Sequence, residues 1–271
     1  MKGYHNRRRA RAKKGFSGGD LGLFKKAIEI NPDALRVVIE GDSWLAYPSP
    51  WLVDIRYKNL AGHILKGLRD KIHVNSYFCA TNGDKVSNML TEKSKDNLLY
   101  TIATTKPDYI LFSGGGNDIL DSEVLSDYFT STSKINWGYI EKKLDSLHRL
   151  YKGFMKDLNK VSPDTKVLAH TYDYLIPRDK GTHIFGIGVA GPWLYPVLNY
   201  HGMTKKAQKQ FVKNLIDNFA DYVLKPLKDT FDNFDYVDTR GVLEAKDFQD
   251  EIHPTNKGFE KLSKKWLEVI K

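Results

Sequence analysis

The chain has 271 residues, 41% hydrophobic and 28% charged, with one cysteine and a formal net charge of +9. That length can bury a sizeable core within one domain, and no window approaches the roughly eighteen uninterrupted apolar residues of a membrane span. The lone Cys79 excludes an internal disulfide, and its place in an apolar run suits a buried, inert thiol.

The charge sits at the start of the chain. Residues 1–14, MKGYHNRRRARAKK, hold seven lysines and arginines and no acid, so the rest of the chain carries only +2. A stretch this poor in large apolar side chains cannot order itself and reads as a basic disordered tail, taken as residues 1–20, ahead of a single domain over 21–271. Two roles stand open for the tail: a solvated terminus, or a weak contact with an anionic partner, nucleic acid or a membrane surface. No apolar h-region follows the arginines, so a cytoplasmic location without a transmembrane segment is expected.

Five β-branched or aromatic runs follow in chain order: LRVVIEG (35–41), KIHVNSYFC (71–79), DYILFSG (108–114), TKVLAHTY (165–172) and FDYVDTR (234–240). They are near-continuously apolar, as strands covered on both faces are. Helical spacing fills the intervals over 51–69, 84–105, 137–160 and 205–229, with a last helix over 256–270. Strict alternation of strand and helix predicts an α/β fold: a three-layer α/β/α sandwich around a five-stranded, mostly parallel, doubly wound sheet in the flavodoxin-like order 2-1-3-4-5. One connection is too long for a simple crossover. Residues 176–203 are rich in Gly, Pro and large aromatics and read as an insertion, either a wall or lid over the carboxyl ends of the strands or a packed decoration without ligand contact.

In such sheets ligands bind beyond the carboxyl strand ends, and there the polar residues gather. The first run ends in Gly41-Asp42-Ser43, the second leads to TNGD with Gly83, the third to GGGND with Asn117 and Asp118, and the fifth to DEIHPT with Asp250 and His253. Acyl transfer needs a nucleophile, a base, a group that orients the base, and donors for an oxyanion. Ser43, His253 and Asp250 fill the first three roles, with Thr255 an N-cap for the closing helix. The main-chain N–H groups of Ser43 and Gly83 and the Asn117 amide are candidate oxyanion donors. Trp44, His170, Trp193 and Tyr195 are candidate substrate contacts.

This ordered set, Ser43 in GDSW, Gly83 in TNGD, Asn117 in GGND and His253 in DEIH, resembles the SGNH, or GDSL-type, serine hydrolase family. The resemblance spans residues 37 to about 260. It implies a three-layer sandwich and hydrolysis of esters or thioesters without metal or other cofactor, on small-molecule or lipid substrates, O-acetyl groups included. Trp44 departs from the family's usual Leu, and the Gly83 block lacks its fuller glycine pattern.

Two other readings compete. Asp42, Asn117, Asp118 and His253 could serve a metal-dependent phosphoesterase, although no second histidine stands near Asp42. A hydrolase-like body without turnover could act through its basic tail on nucleic acid or a membrane surface. Asp42 and Asp118 are otherwise turn residues bonding nearby main-chain N–H groups, and Gly114 to Gly116 lack the Lys-Ser/Thr of a phosphate loop.

Overall fold

The five apolar runs become strands of one parallel sheet, and a sixth strand joins them. The computed structural model describes residues 15–46, 58–132, 134–184 and 187–270. Its main strands are β1 (Ser17–Gly18), β2 (Leu35–Gly41), β3 (Val74–Phe78), β4 (Tyr109–Ser113), β5 (Lys166–His170) and β6 (Phe234–Val237). They lie in the order β1-β3-β2-β4-β5-β6, every neighbouring pair parallel. With β1 set aside, this is the expected doubly wound order.

The sixth strand is a correction. Ser17–Gly18 falls in the 1–20 segment assigned to the disordered tail, yet it extends the sheet beside β3. The Asn75 side chain accepts from the Phe16 N–H at 2.8 Å, and the Ser76 N–H donates to the Phe16 carbonyl at 2.8 Å. Two residues of strand are too few to show an apolar alternation, so these partners, some sixty positions away, decide their conformation. The basic stretch 1–14 lies outside the described residues.

Alternation along the strands assigns the two faces. Phe112 turns to helix Trp137–Val161, with ring centroids 5.2 and 6.2 Å from Tyr151 and Phe154. That helix carries a buried stripe of Ile140, Leu144, Leu147, Tyr151 and Leu158, and Asn136 caps it by accepting from the Tyr139 N–H. The next residue, Ser113, turns to the opposite face, where His170 meets Trp266 of helix Asn256–Val269. Thr255 is the N-cap of this last helix, its hydroxyl accepting from the Gly258 N–H at 3.1 Å.

Three helical intervals differ from expectation. The pattern over 84–105 divides into Val86–Met89 and Glu92–Thr105, and that over 205–229 passes through a π-helical turn at Ala220–Leu224. Of the interval 51–69, the helix runs Leu60–Arg69, and residues 51–57 lie outside the described residues. The 176–203 insertion contains a short hairpin, Thr182–Ile184 with Ile187–Ala190, and a helix over Tyr195–Tyr200.

Candidate active site

Strand β2 delivers Ser43 to the head of the sheet through a backbone that admits no side chain. Gly41 has φ +148°, and a Cβ there would stand 2.5 Å from the Ser113 carbonyl oxygen. The chain then turns into a single helical turn, Ser43–Ala46, while the Asp42 N–H stays bonded to the Ser113 carbonyl at 2.8 Å. Ser43 thus begins a helical turn at the very end of a buried strand.

The loop after β6 brings two more groups to the same point. Residues 247–255 double back on themselves: the Gln249 N–H donates to the His253 carbonyl at 2.9 Å and the Thr255 N–H to the Asp247 carbonyl at 2.7 Å. Within this reversal Asp250 Oδ1 accepts from the Ile252 and His253 N–H groups, at 2.9 and 2.6 Å. Its other oxygen, Oδ2, lies 2.9 Å from His253 Nδ1, and His253 Nε2 lies 3.0 Å from Ser43 Oγ. Asp250 is fully buried, and Ser43 and His253 are nearly so. A carboxylate on Nδ1 fixes the proton there, which leaves the Nε2 lone pair facing the serine hydroxyl.

Beneath the serine lies a buried polar cluster that the sequence reading missed in part. Asp42 Oδ1 accepts from the Ser113 hydroxyl at 2.6 Å and from the Trp44 N–H at 3.0 Å, while Oδ2 accepts from the Tyr172 hydroxyl. Burial pushes the Asp42 carboxyl up to about 6 against the pull of the hydrogen bonds from Ser113 and Tyr172. His170 Nδ1 accepts from the Tyr172 N–H at 3.2 Å, so its proton is on Nε2, 2.8 Å from Ser113 Oγ. Burial pushes His170 down to about 3 and keeps the ring neutral. His170 is therefore no substrate contact: it is a strand residue turned into the core. Ser113 and Tyr172 were missed because neither stands in a recognisable motif.

A cleft of about 260 Å³ opens over Ser43, bounded by Gly83, Asn117, Leu120, Leu175, Trp193 and Ile252 among others. Gly116 comes so near Tyr172 that a Cβ would lie 2.9 Å from its ring, which seats the Asn117 turn low over the sheet. The Asn117 amide donates to the Asp84 carbonyl at 2.8 Å, tying the Gly83 turn to the cleft. Asp118 accepts from the Val86 and Ser87 N–H groups at 2.8 and 3.3 Å. Both acids of the phosphoesterase reading thus have their oxygens committed to protein donors, and among the described residues no group of three or more His, Cys, Asp and Glu could hold a metal ion.

Of the four expected substrate contacts, two border the cleft. Trp44 forms part of its floor, packed edge-on against Tyr172 and Phe259, and Trp193 stands edge-on to the His253 ring at 5.5 Å. Tyr195 does not border it: its main chain turns away into the Tyr195–Tyr200 helix. The reading also missed Glu251, which lies inside the DEIH motif and holds residues 193–195 by their N–H groups.

A parallel sheet wound on both faces, with serine, histidine and aspartate joined at its carboxyl edge, is an α/β fold consistent with that of the SGNH hydrolases. Among solved structures it is similar to a lipase from a goat rumen metagenome, at 14% identity over 87% of this chain and 97% of that one, with a TM-score of 0.61. It is also similar to an extracellular lipase from Streptomyces rimosus, at 14% identity over 88% and 100% of the two chains and a TM-score of 0.53. A phospholipase A1 from Streptomyces albidoflavus aligns at 12% identity over 88% and 100%, with the same TM-score of 0.53. No protein-family model and no curated protein matches the sequence.

Proposed function

We propose that the protein is a serine hydrolase that cleaves carboxylic esters through an acyl-enzyme on Ser43. The observation that carries this reading is the continuous line from Ser43 Oγ to His253 Nε2, at 3.0 Å, and from His253 Nδ1 to Asp250, at 2.9 Å. In the first half-reaction Ser43 Oγ bonds to the acyl carbon as its proton passes to His253 Nε2. The carbonyl π electrons move onto oxygen, where the N–H groups of Ser43 and Gly83 and the Asn117 amide serve as donors. The tetrahedral intermediate collapses, the bond to the leaving oxygen breaks, and that oxygen takes the proton from His253. A water then repeats the sequence on the acyl-enzyme, giving its proton to His253, and the released Ser43 recovers it. Asp250 stays ionised throughout and steadies the imidazolium.

The apolar border of Leu120, Leu175, Trp193 and Ile252 suits an uncharged acyl group. Lipid, thioester and O-acetyl substrates all offer one, as do the esters cleaved by the lipases this fold resembles.

The test is Ser43→Ala on the full chain. Covalent labelling by a fluorophosphonate should vanish, and hydrolysis of p-nitrophenyl acetate should fall about 10⁴- to 10⁶-fold. Wild-type turnover should persist in EDTA. Full activity in the variant, or an activity that EDTA abolishes, overturns the reading.

A further inference from the structure

We infer that Glu251 is a positioning residue: it clasps the start of the 176–203 insertion and the stretch after its hairpin onto the His253 loop and, through Trp193, sets the size of acyl group that the cleft admits. This rests on the ester-hydrolase reading above.

Glu251 is fully buried and sits in the chain between Asp250 and His253. Its carboxylate meets four main-chain donors, two on each oxygen. Oε2 accepts from the Trp193 N–H and, at 2.8 Å, from the Leu194 N–H. Oε1 accepts from the Tyr195 N–H at 2.7 Å and the Arg178 N–H at 3.1 Å. Three further bonds run the same way: the Ile176 N–H donates to the Glu251 carbonyl at 3.1 Å, and Arg178 Nη2 donates to the carbonyls of Phe248 and Asp250 at 2.9 and 2.7 Å. Residues 176–178 enter the insertion and 193–195 follow its hairpin, so one side chain draws the two flanks of the hairpin together.

The geometry gives this clasp a role beyond holding a loop. Trp193 is fixed by its own N–H to a residue two positions before His253, and its indole stands edge-on to the imidazole while bordering the cleft. The wall is thereby built on the same short loop that carries the base. Hydrogen bonds to an ionised acceptor are the stronger kind, and removing a buried acceptor strands its donors. A glutamine at 251 keeps the shape but turns an NH₂ group toward two of the four N–H donors, which breaks half of the clasp without opening a cavity.

The experiment measures kcat and KM for p-nitrophenyl acetate, butyrate and octanoate with wild type, Glu251→Gln, Trp193→Ala and the double variant, all as full chains. Acrylamide quenching of the Trp193 fluorescence, taken as the difference from Trp193→Phe protein, reads the wall without turnover. With E251Q, KM for acetate should rise about tenfold with kcat little changed, kcat/KM for octanoate relative to acetate should rise about tenfold, and quenching should increase. W193A should give the same shift in octanoate preference, and the double variant should add nothing to it. Unchanged acyl preference and unchanged quenching in a folded E251Q overturn the inference; should E251Q not fold, an unchanged preference in W193A does so. Failure of the wild type to be acylated on Ser43 defeats the ester-hydrolase reading instead, while the quenching still reports whether Glu251 holds Trp193.

Discussion

Asn117 borders the cleft and, in the proposed mechanism, its amide donates to the oxyanion. One N–H of its amide holds the Asp84 carbonyl at 2.8 Å, and the amide has a second N–H to donate. Replacing Asn117 by Ala should lower kcat for p-nitrophenyl acetate about 10²- to 10³-fold with a much smaller change in KM, because the donor acts mainly in the transition state. A KM effect alone, read from steady-state kinetics, would place Asn117 in ground-state binding. The sequence placed this residue at the cleft because it follows a Gly-rich turn at a strand end and was read together with the polar residues at the other strand ends. His170 was misjudged for the reverse reason. A histidine at a strand end can face solvent or core, and only Ser113, 57 positions away, decides which.

At the scale of elements, the β2–β4 pair holds the nucleophile in place. Gly41 is registered opposite Ser113, at a φ that L side chains rarely adopt and with no room for a Cβ. Gly41→Ala should lower stability by about 1–3 kcal/mol from backbone strain alone, with the close contact adding to it, and urea unfolding should show the loss. Wild-type stability in G41A would mean that β2 can shift away from β4 without loss. The long, apolar strands and the 25-residue helix Trp137–Val161 were readable because each repeats its period several times. The break between Val86–Met89 and Glu92–Thr105 was not. What fixes the first piece is Asp118, reaching the Val86 and Ser87 N–H groups from another strand end. β1 escaped for the same reason: its conformation is dictated by Asn75 and Ser76, not by its own residues.

Across the whole molecule, the Ser43, His253 and Asp250 arrangement was legible because each residue ends or follows a strand whose order the alternation of elements already implied. The fit of the insertion was not, since it depends on a buried carboxylate meeting main-chain donors 56 to 73 positions away. A second buried carboxylate links the head of the sheet to global stability. Glu40, next to Gly41, is 8% exposed, and burial first, with Asp84 adding, pushes its carboxyl from 4.5 up to about 7; the Gly41 N–H and the Cys79 thiol oppose the shift. Between pH 4.5 and 7 the folded chain therefore holds a proton that the unfolded chain has lost. Stability from this group is fully present below pH 4.5 and is lost as pH rises through 7, by at most about 3 kcal/mol. Asp42 acts in the same sense and His170 in the opposite one, so the Glu40 share is isolated by comparison with Glu40→Gln, which leaves both in place. The difference in Tm, wild type minus E40Q, should fall by roughly 5 °C between pH 4.5 and pH 8. A difference that is flat across that range, or that rises, would show that Glu40 is ionised in the folded protein well below neutrality.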